Sequence, residues 1–341
     1  MEIVYLIGNG FDINLGLKTK FRQFYDYYLK QESPNSTVGT FKETLNENKD
    51  LEQWADLELI LGKYAEHFSN DTVLDFRELL NDIQDNLAQY ISLQEKKIEI
   101  TDQEKSKLNK DLFYPEVYLT EREQANFLNY KNKFLSSTFS ANIITFNYTY
   151  TFENLYDFDG KSKQIGNHSY SQNTYPNILK SVEHIHGTTT SNMILGINDI
   201  SQLNNEELKK NIRAIRSIVK LEMNKNAGTL RDERSFALIK RADLICIFGM
   251  SLGATDKVWW NAINNRLLNS NALLLIFGVN KGTPKLRDFL SEDDKDEIRN
   301  KILSYSNLTD TQRNILFNQI FVKFNSNMFA LLSPKERKVV A

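Results

Sequence analysis

The chain has 341 residues, enough for one large α/β domain or two smaller ones. Its 42 lysines and arginines nearly balance 44 aspartates and glutamates, and the net charge of -2 argues against a nucleic-acid binder, which would carry a basic excess. The single cysteine, Cys246, excludes a disulfide framework or a four-cysteine zinc site within one chain.

Residues 3–7 are the first of five short apolar runs, followed by 142–146, 182–186, 244–248 and 273–277. Each lacks strict alternation, as central parallel strands do, and several lead through a turn into a helical pattern. That order predicts a Rossmann-like, doubly wound, mostly parallel sheet. Residues 319–324 read as an edge strand, and 193–197 as another strand or an extended loop. The first run ends in Gly8-Asn9-Gly10-Phe11-Asp12. Such glycines let backbone N–H groups approach a pyrophosphate at a helix start, and equally serve a tight strand-to-helix turn. The third glycine of the dinucleotide fingerprint is missing, because position 13 is Ile13. Asp12, itself an anion, suits fixing the loop or meeting a ribose hydroxyl.

Residues 41–136 read as a helical insertion subdomain after the first βα unit, leaving 1–40 and 137–341 as the nucleotide-binding core. Within 51–68, Trp54, Leu57, Leu61, Tyr64 and Phe68 share one stripe at helical spacing. Residues 71–97 continue with Val73, Phe76, Leu80, Ile83, Leu87 and Ile91, and 119–135 form a third amphipathic stretch. The charged stretch 95–110 reads as an exposed connection. Asp56 and Glu58 flank the apolar stripe on opposite sides, so at most one faces any given site. Glu58 reads as a surface carboxylate, with a catalytic or ribose contact as the sharper alternative.

Polar residues follow the later strands, where ligands gather in open α/β sheets. In Thr145-Phe146-Asn147-Tyr148-Thr149, the Asn147 amide can hold a water or a sugar hydroxyl, and also fits a turn or helix cap. His184 and His186 share a strand face, yet nothing nearby completes a metal site and no metal is expected. His186, followed by Gly187, would stand at the sheet's carboxyl edge as a general base near neutral pH. His67 reads as a packing residue. Lys209, Lys210, Arg213, Arg216 and Lys220 read as a solvated face, the alternative being a docking surface for an acidic partner or nucleic acid. Cys246 reads as a buried, inert thiol. Beyond it, Gly249, Ser251, Leu252 and Asp256 form a loop suited to a phosphate or ribose, or to a helix cap.

As an ordered set, 7–12 with Gly16-Leu17, 54–58, 145–149, 184–187 and 249–252 with Asp256 resemble the AbiH family. Those proteins are associated with abortive infection, in which a phage-infected bacterium stops growing or dies. The resemblance extends from residue 3 to about 280. The family in turn looks like a distant relative of sirtuins and sirtuin-like defence NADases. Gly8 and Gly10 match their glycine loop, Thr145 and Asn147 their asparagine motif, His186-Gly187 the catalytic histidine pair, and Gly249, Ser251 and Leu252 the last loop. Three departures stand out. Thr149 replaces the aspartate that closes the asparagine motif, the sirtuin zinc cysteines are missing, and 54–58 has no sirtuin counterpart.

The resemblance implies phage defence through hydrolysis of NAD, bound as substrate, at its nicotinamide–ribose bond. Asn147 and His186 would be catalytic. Gly8, Asn9, Gly10, Phe11, Asp12, Thr145, Thr149, Gly187, Gly249, Ser251, Leu252 and Asp256 would contact the nucleotide. The rivals are a nucleotide sensor without turnover and a nucleic-acid effector using the basic face. Expected partners are a nucleotide and a phage-derived trigger or self-association. No apolar run approaches the roughly 20 residues that span a bilayer, no membrane association is expected, and the chain reads as cytoplasmic.

Overall fold

The computed structural model describes residues 1–52, 56–95, 100–279 and 291–331; Trp54 lies outside them. Its strands are β1 (Glu2–Ile7), β2 (Phe139–Thr145), β3 (Lys163–Tyr170), β4 (Asn173–His184), β5 (Leu244–Phe248), β6 (Leu273–Gly278) and β7 (Ile320–Phe324). They form one seven-stranded sheet in the order β3-β4-β2-β1-β5-β6-β7. Every neighbouring pair is parallel except the β3–β4 hairpin. This is the Rossmann-like α/β fold, with β7 at the edge foreseen for 319–324.

Strand β1 is central because both of its faces are apolar. Ile3, Tyr5 and Ile7 enter one core with Phe139, Phe152 and Phe248. Val4 and Leu6 enter a second core with Ile245, Ile247 and Trp260 on the opposite face. The two-residue period of a strand makes this division. A third core joins Phe24, Phe41, Leu61, Phe76 and Leu87 to Tyr148, Met193, Leu208 and Ile218. Tyr148 follows β2 directly, so this helical body presses against the carboxyl ends of the strands.

Helices cover Leu57–Tyr64, Val73–Glu95 and Glu121–Lys131, where the apolar periodicity puts them. The stretch 95–110 is corrected: Asp102–Phe113 is a helix, opened by a capping box between Thr101 and Glu104, and it buries Leu108 and Leu112. Charges outnumber apolar residues there, but two leucines four apart suffice for a core-facing stripe. The run 193–197 is a loop, tied by an isolated bridge from Ile197 to Val219.

Strand β3 leaves little trace in the sequence. It is a largely exposed edge strand, and its turn into β4 uses Ser171 and Gln172 at φ 46° and 69°. Those positions usually announce themselves as Asn-Gly. Strand β4 ends at His184, two residues before the run 182–186 does, which changes where the histidines point.

Candidate active site at the carboxyl edge of the sheet

A cavity of about 610 Å³ opens beyond the carboxyl ends of β1, β2, β5 and β6. It is lined by Gly8, Asn9, Gly10, Asp12, Asn147, Thr149, His186, Gly249, Ser251 and Asp256 of the residues singled out from sequence. Four stretches far apart in the chain thus converge on one space.

The glycine loop is built around its neighbour. Gly8 N–H donates to the Phe248 carbonyl at 3.0 Å, Gly10 N–H to the Gly249 carbonyl at 2.8 Å, and Phe11 N–H to the Gly8 carbonyl at 2.9 Å. A Cβ at Gly8 would lie 2.7 Å from the Gly249 oxygen, one at Gly10 would lie 2.9 Å from the same atom, and one at Gly249 would lie 2.6 Å from Phe11 N. Gly249 also sits at φ +68°, where side chains are strained. These glycines let two loops pack backbone to backbone. The phosphate cradle read from the sequence therefore loses three N–H donors to the protein itself, and the helix that follows has five residues, Gly10–Asn14.

Asn147 donates its Nδ2–H to the Gly8 carbonyl at 3.1 Å, and its own backbone N–H goes to Thr145 Oγ1 at 3.1 Å. Asp12 is buried, and Thr149 Oγ1 lies 2.9 Å and 3.1 Å from its two carboxylate oxygens. Burial pushes the Asp12 carboxyl up to about 7, against hydrogen bonds that pull it down. Asp12 thus fixes the loop, and Thr149 is the residue it holds.

Four predicted contact residues stand off the cavity lining. Phe11 is in the core, its ring stacked 4.5 Å from that of Phe152. Thr145 is buried beneath Asn147. Gly187 makes the left-handed bend at φ +72° that starts a turn, where a Cβ would meet the Ser191 oxygen at 2.7 Å. Leu252 packs in the core, and its carbonyl accepts from Tyr305 Oη at 2.9 Å.

The histidines separate, correcting the shared-face reading. Because β4 ends at His184, strand alternation stops there. His184 Nε2 lies 2.7 Å from Glu153 Oε1 and its Nδ1 lies 3.1 Å from the Asn147 carbonyl. His186 lines the cavity instead, edge-on to Phe146 at 5.5 Å. Burial, then the Lys220 ammonium, holds its imidazole well below 6.5, so it is neutral at physiological pH.

Two further corrections concern charge. Lys220 is buried and pairs with Glu58, Nζ to Oε2 at 2.7 Å, inside the cavity. It opens a new helix after the break at Val219, so it does not share a face with Lys209, Lys210, Arg213 and Arg216. Its apolar setting, Ile218-Val219-Lys220-Leu221, was the available signal. Asp56 and Glu58 both line the cavity. Asp56 is not on the helix but caps it with extended backbone, accepting from Glu58 N–H at 3.1 Å, so helical spacing does not apply to it. Tyr148 Oη reaches Glu58 Oε1 at 3.4 Å. Burial raises the Glu58 carboxyl while Lys220 opposes it, and the same two causes act on Asp256, which also accepts from Asn198 Nδ2 at 3.2 Å.

Among the described residues no three His, Cys, Asp or Glu side chains are grouped to hold a metal ion, and no helix is long and apolar enough to cross a membrane. Fold and cavity together define a Rossmann-like α/β protein with a polar pocket at the carboxyl edge of its sheet. The chain belongs to the bacteriophage abortive infection AbiH family, whose model matches residues 4–277. It is accordingly an abortive-infection phage-defence protein. No curated protein matches the sequence.

Proposed function

We propose that this chain carries out abortive infection by binding NAD in the carboxyl-edge cavity and hydrolysing its nicotinamide–ribose bond, in response to a phage-derived trigger or self-association. The observation that carries the reading is the meeting of Asn147 and a neutral His186 with Glu58, Asp56 and Asp256 in one cavity. Its volume, about 610 Å³, falls within the span of small-molecule sites. An acidic interior suits the cationic nicotinamide ring. The pyrophosphate belongs at the mouth, where Asn9 and Ser251 are exposed.

The water oxygen bonds to the ribose anomeric carbon as the carbon–nitrogen bond breaks, and the electron pair leaves with nicotinamide, which becomes neutral. The water proton passes to His186 and on to solvent. Positive charge spreads over the ribose in the transition state, and fixed carboxylates in a low-dielectric cavity stabilise it. Asn147 orients water or a ribose hydroxyl, and Glu58 accepts from a ribose hydroxyl. Purified protein is expected to release nicotinamide from NAD, with Asn147→Ala and His186→Ala slower by about 10²–10⁴. Unchanged turnover in both variants refutes the assignment.

One observation favours a second reading, a nucleotide sensor without turnover: the three loop N–H groups already bonded within the protein. That reading expects NAD to raise the unfolding temperature with no nicotinamide released.

A further inference from the structure

A second cavity, of about 650 Å³, lies between the helix Asp102–Phe113, the turn Pro115–Tyr118 and the β3–β4 hairpin. We propose that it is a binding site for a nucleoside monophosphate, separate from the carboxyl-edge cavity and independent of the NAD reading. Three features define the ligand. Its walls carry the rings of Phe113, Tyr114 and Tyr118 with Ile165, which suits a planar heterocycle.

A buried amide opens into the same space. Asn177 is 2% exposed. Its side-chain oxygen lies 2.7 Å from His168 Nδ1, and Asn109 Oδ1, on the same cavity lining, is buried with no hydrogen-bond partner among the described residues. Gly166 stands over Asn177: a Cβ there would lie 3.7 Å from Asn177 Nδ2, so the missing side chain leaves the amide open to the cavity. An amide oxygen such as that of Asn109, buried without a donor, costs free energy, which the N–H edge of a base would recover.

Charge supplies the third feature. Lys107 is committed to Asp111 at 2.7 Å and to the Asn327 carbonyl at 2.8 Å. Lys110 lines the cavity and is exposed, a solvated cation at its mouth. A flat base with a hydrogen-bonding edge and one anionic group unites these demands in a single small molecule, and a base with its ribose phosphate is that molecule.

Calorimetry with AMP and adenosine tests the site. AMP is expected to bind wild type and His186→Ala equally, and adenosine several-fold more weakly. Gly166→Leu, which fills the space at a glycine with ordinary backbone angles, should abolish AMP binding while the unfolding temperature holds. Lys110→Glu, a surface change that leaves the fold intact even if Gly166→Leu does not, should weaken AMP several-fold and leave adenosine unchanged. The proposal is overturned by absence of AMP binding, by AMP binding that survives Gly166→Leu in folded protein or is indifferent to Lys110→Glu, or by binding lost in His186→Ala, which would assign AMP to the other cavity.

Discussion

The two cavities are similar in volume and opposite in chemistry. Beyond the carboxyl ends of the sheet, Asp12, Asp56, Glu58 and Asp256 share the cavity lining with one ammonium among the described residues, that of Lys220. Beside β3, Lys107 and Lys110 outnumber Asp111. The first is polar because loops and helix ends deliver side chains to it from places far apart in the chain; the second takes its rings from one helix and the turn that follows it, with the hairpin closing the other side. The segment 325–329 touches both. Asn325 and Ser326 line the first cavity, while Phe329 N–H donates to Asp111 Oδ2 at 2.8 Å beside the second. A site whose charges are buried and paired is costly to build, and such cost at a cavity wall points to function more than to stability.

The largest effect expected from disturbing this contrast is at Lys220. Lys220→Met leaves Glu58 without its partner in a poorly solvated wall, and should cost about 3 kcal/mol of stability. Glu58→Gln added to it should restore much of the loss, because the stranded charge is then gone. Urea unfolding of the two single variants and the double variant measures the coupling. A cost below about 1 kcal/mol, the range of surface pairs, would mean that the pair is effectively solvated.

Next in size is the pH response of the acidic cavity. Asp12 titrates at about 7 in the folded chain against an ordinary 3.8. The folded state therefore holds the proton more tightly than the unfolded one. That contribution is complete below about pH 4, declines as pH rises and is lost above about pH 7. Between about pH 5 and pH 7 it amounts to about 2.5 kcal/mol. His186 acts in the opposite sense: its folded value lies below 6.5, so its contribution is present above that pH and is lost on acidification. Asp12→Asn should flatten the decline toward neutrality and leave the His186 loss on the acid side. Unfolding midpoints at about pH 5 and pH 7 decide it, and an unchanged slope in Asp12→Asn would remove the buried carboxyl from the account.

The sequence discloses these regions unequally. Strand β1 and its parallel neighbours are legible because full burial demands unbroken apolar runs, and the loops at their carboxyl ends follow from the fold. Gly8, Asn147, His186 and Gly249 could be placed together on that basis. Lys220 could not, because a lysine among other lysines looks solvated until the helix break at Val219 turns it inward. Asp56 escaped because a capping residue does not obey the helical wheel. The second cavity had no herald at all. Its hairpin turns on Ser171 and Gln172, and β3 is polar enough to pass for a loop.

The smallest effect should come from the exposed basic face, and it separates that face from both cavities. Arg213 and Arg216 are exposed on the helix Ile212–Ile218, which turns Ala214 and Ile218 into the helical core instead. Neither arginine lines either cavity. Arg213→Glu together with Arg216→Glu should therefore shift stability by no more than about 0.5 kcal/mol and leave nicotinamide release and AMP binding unchanged. The reversal moves the local charge by four units, since two cations become two anions. If the face served nucleic acid, this change would abolish salt-sensitive retention on DNA or RNA. Wild type retained on a nucleic-acid column at low salt, and lost from it on reversal, would give the basic face a role that the cavities do not explain; equal flow-through of both proteins leaves it a solvated surface.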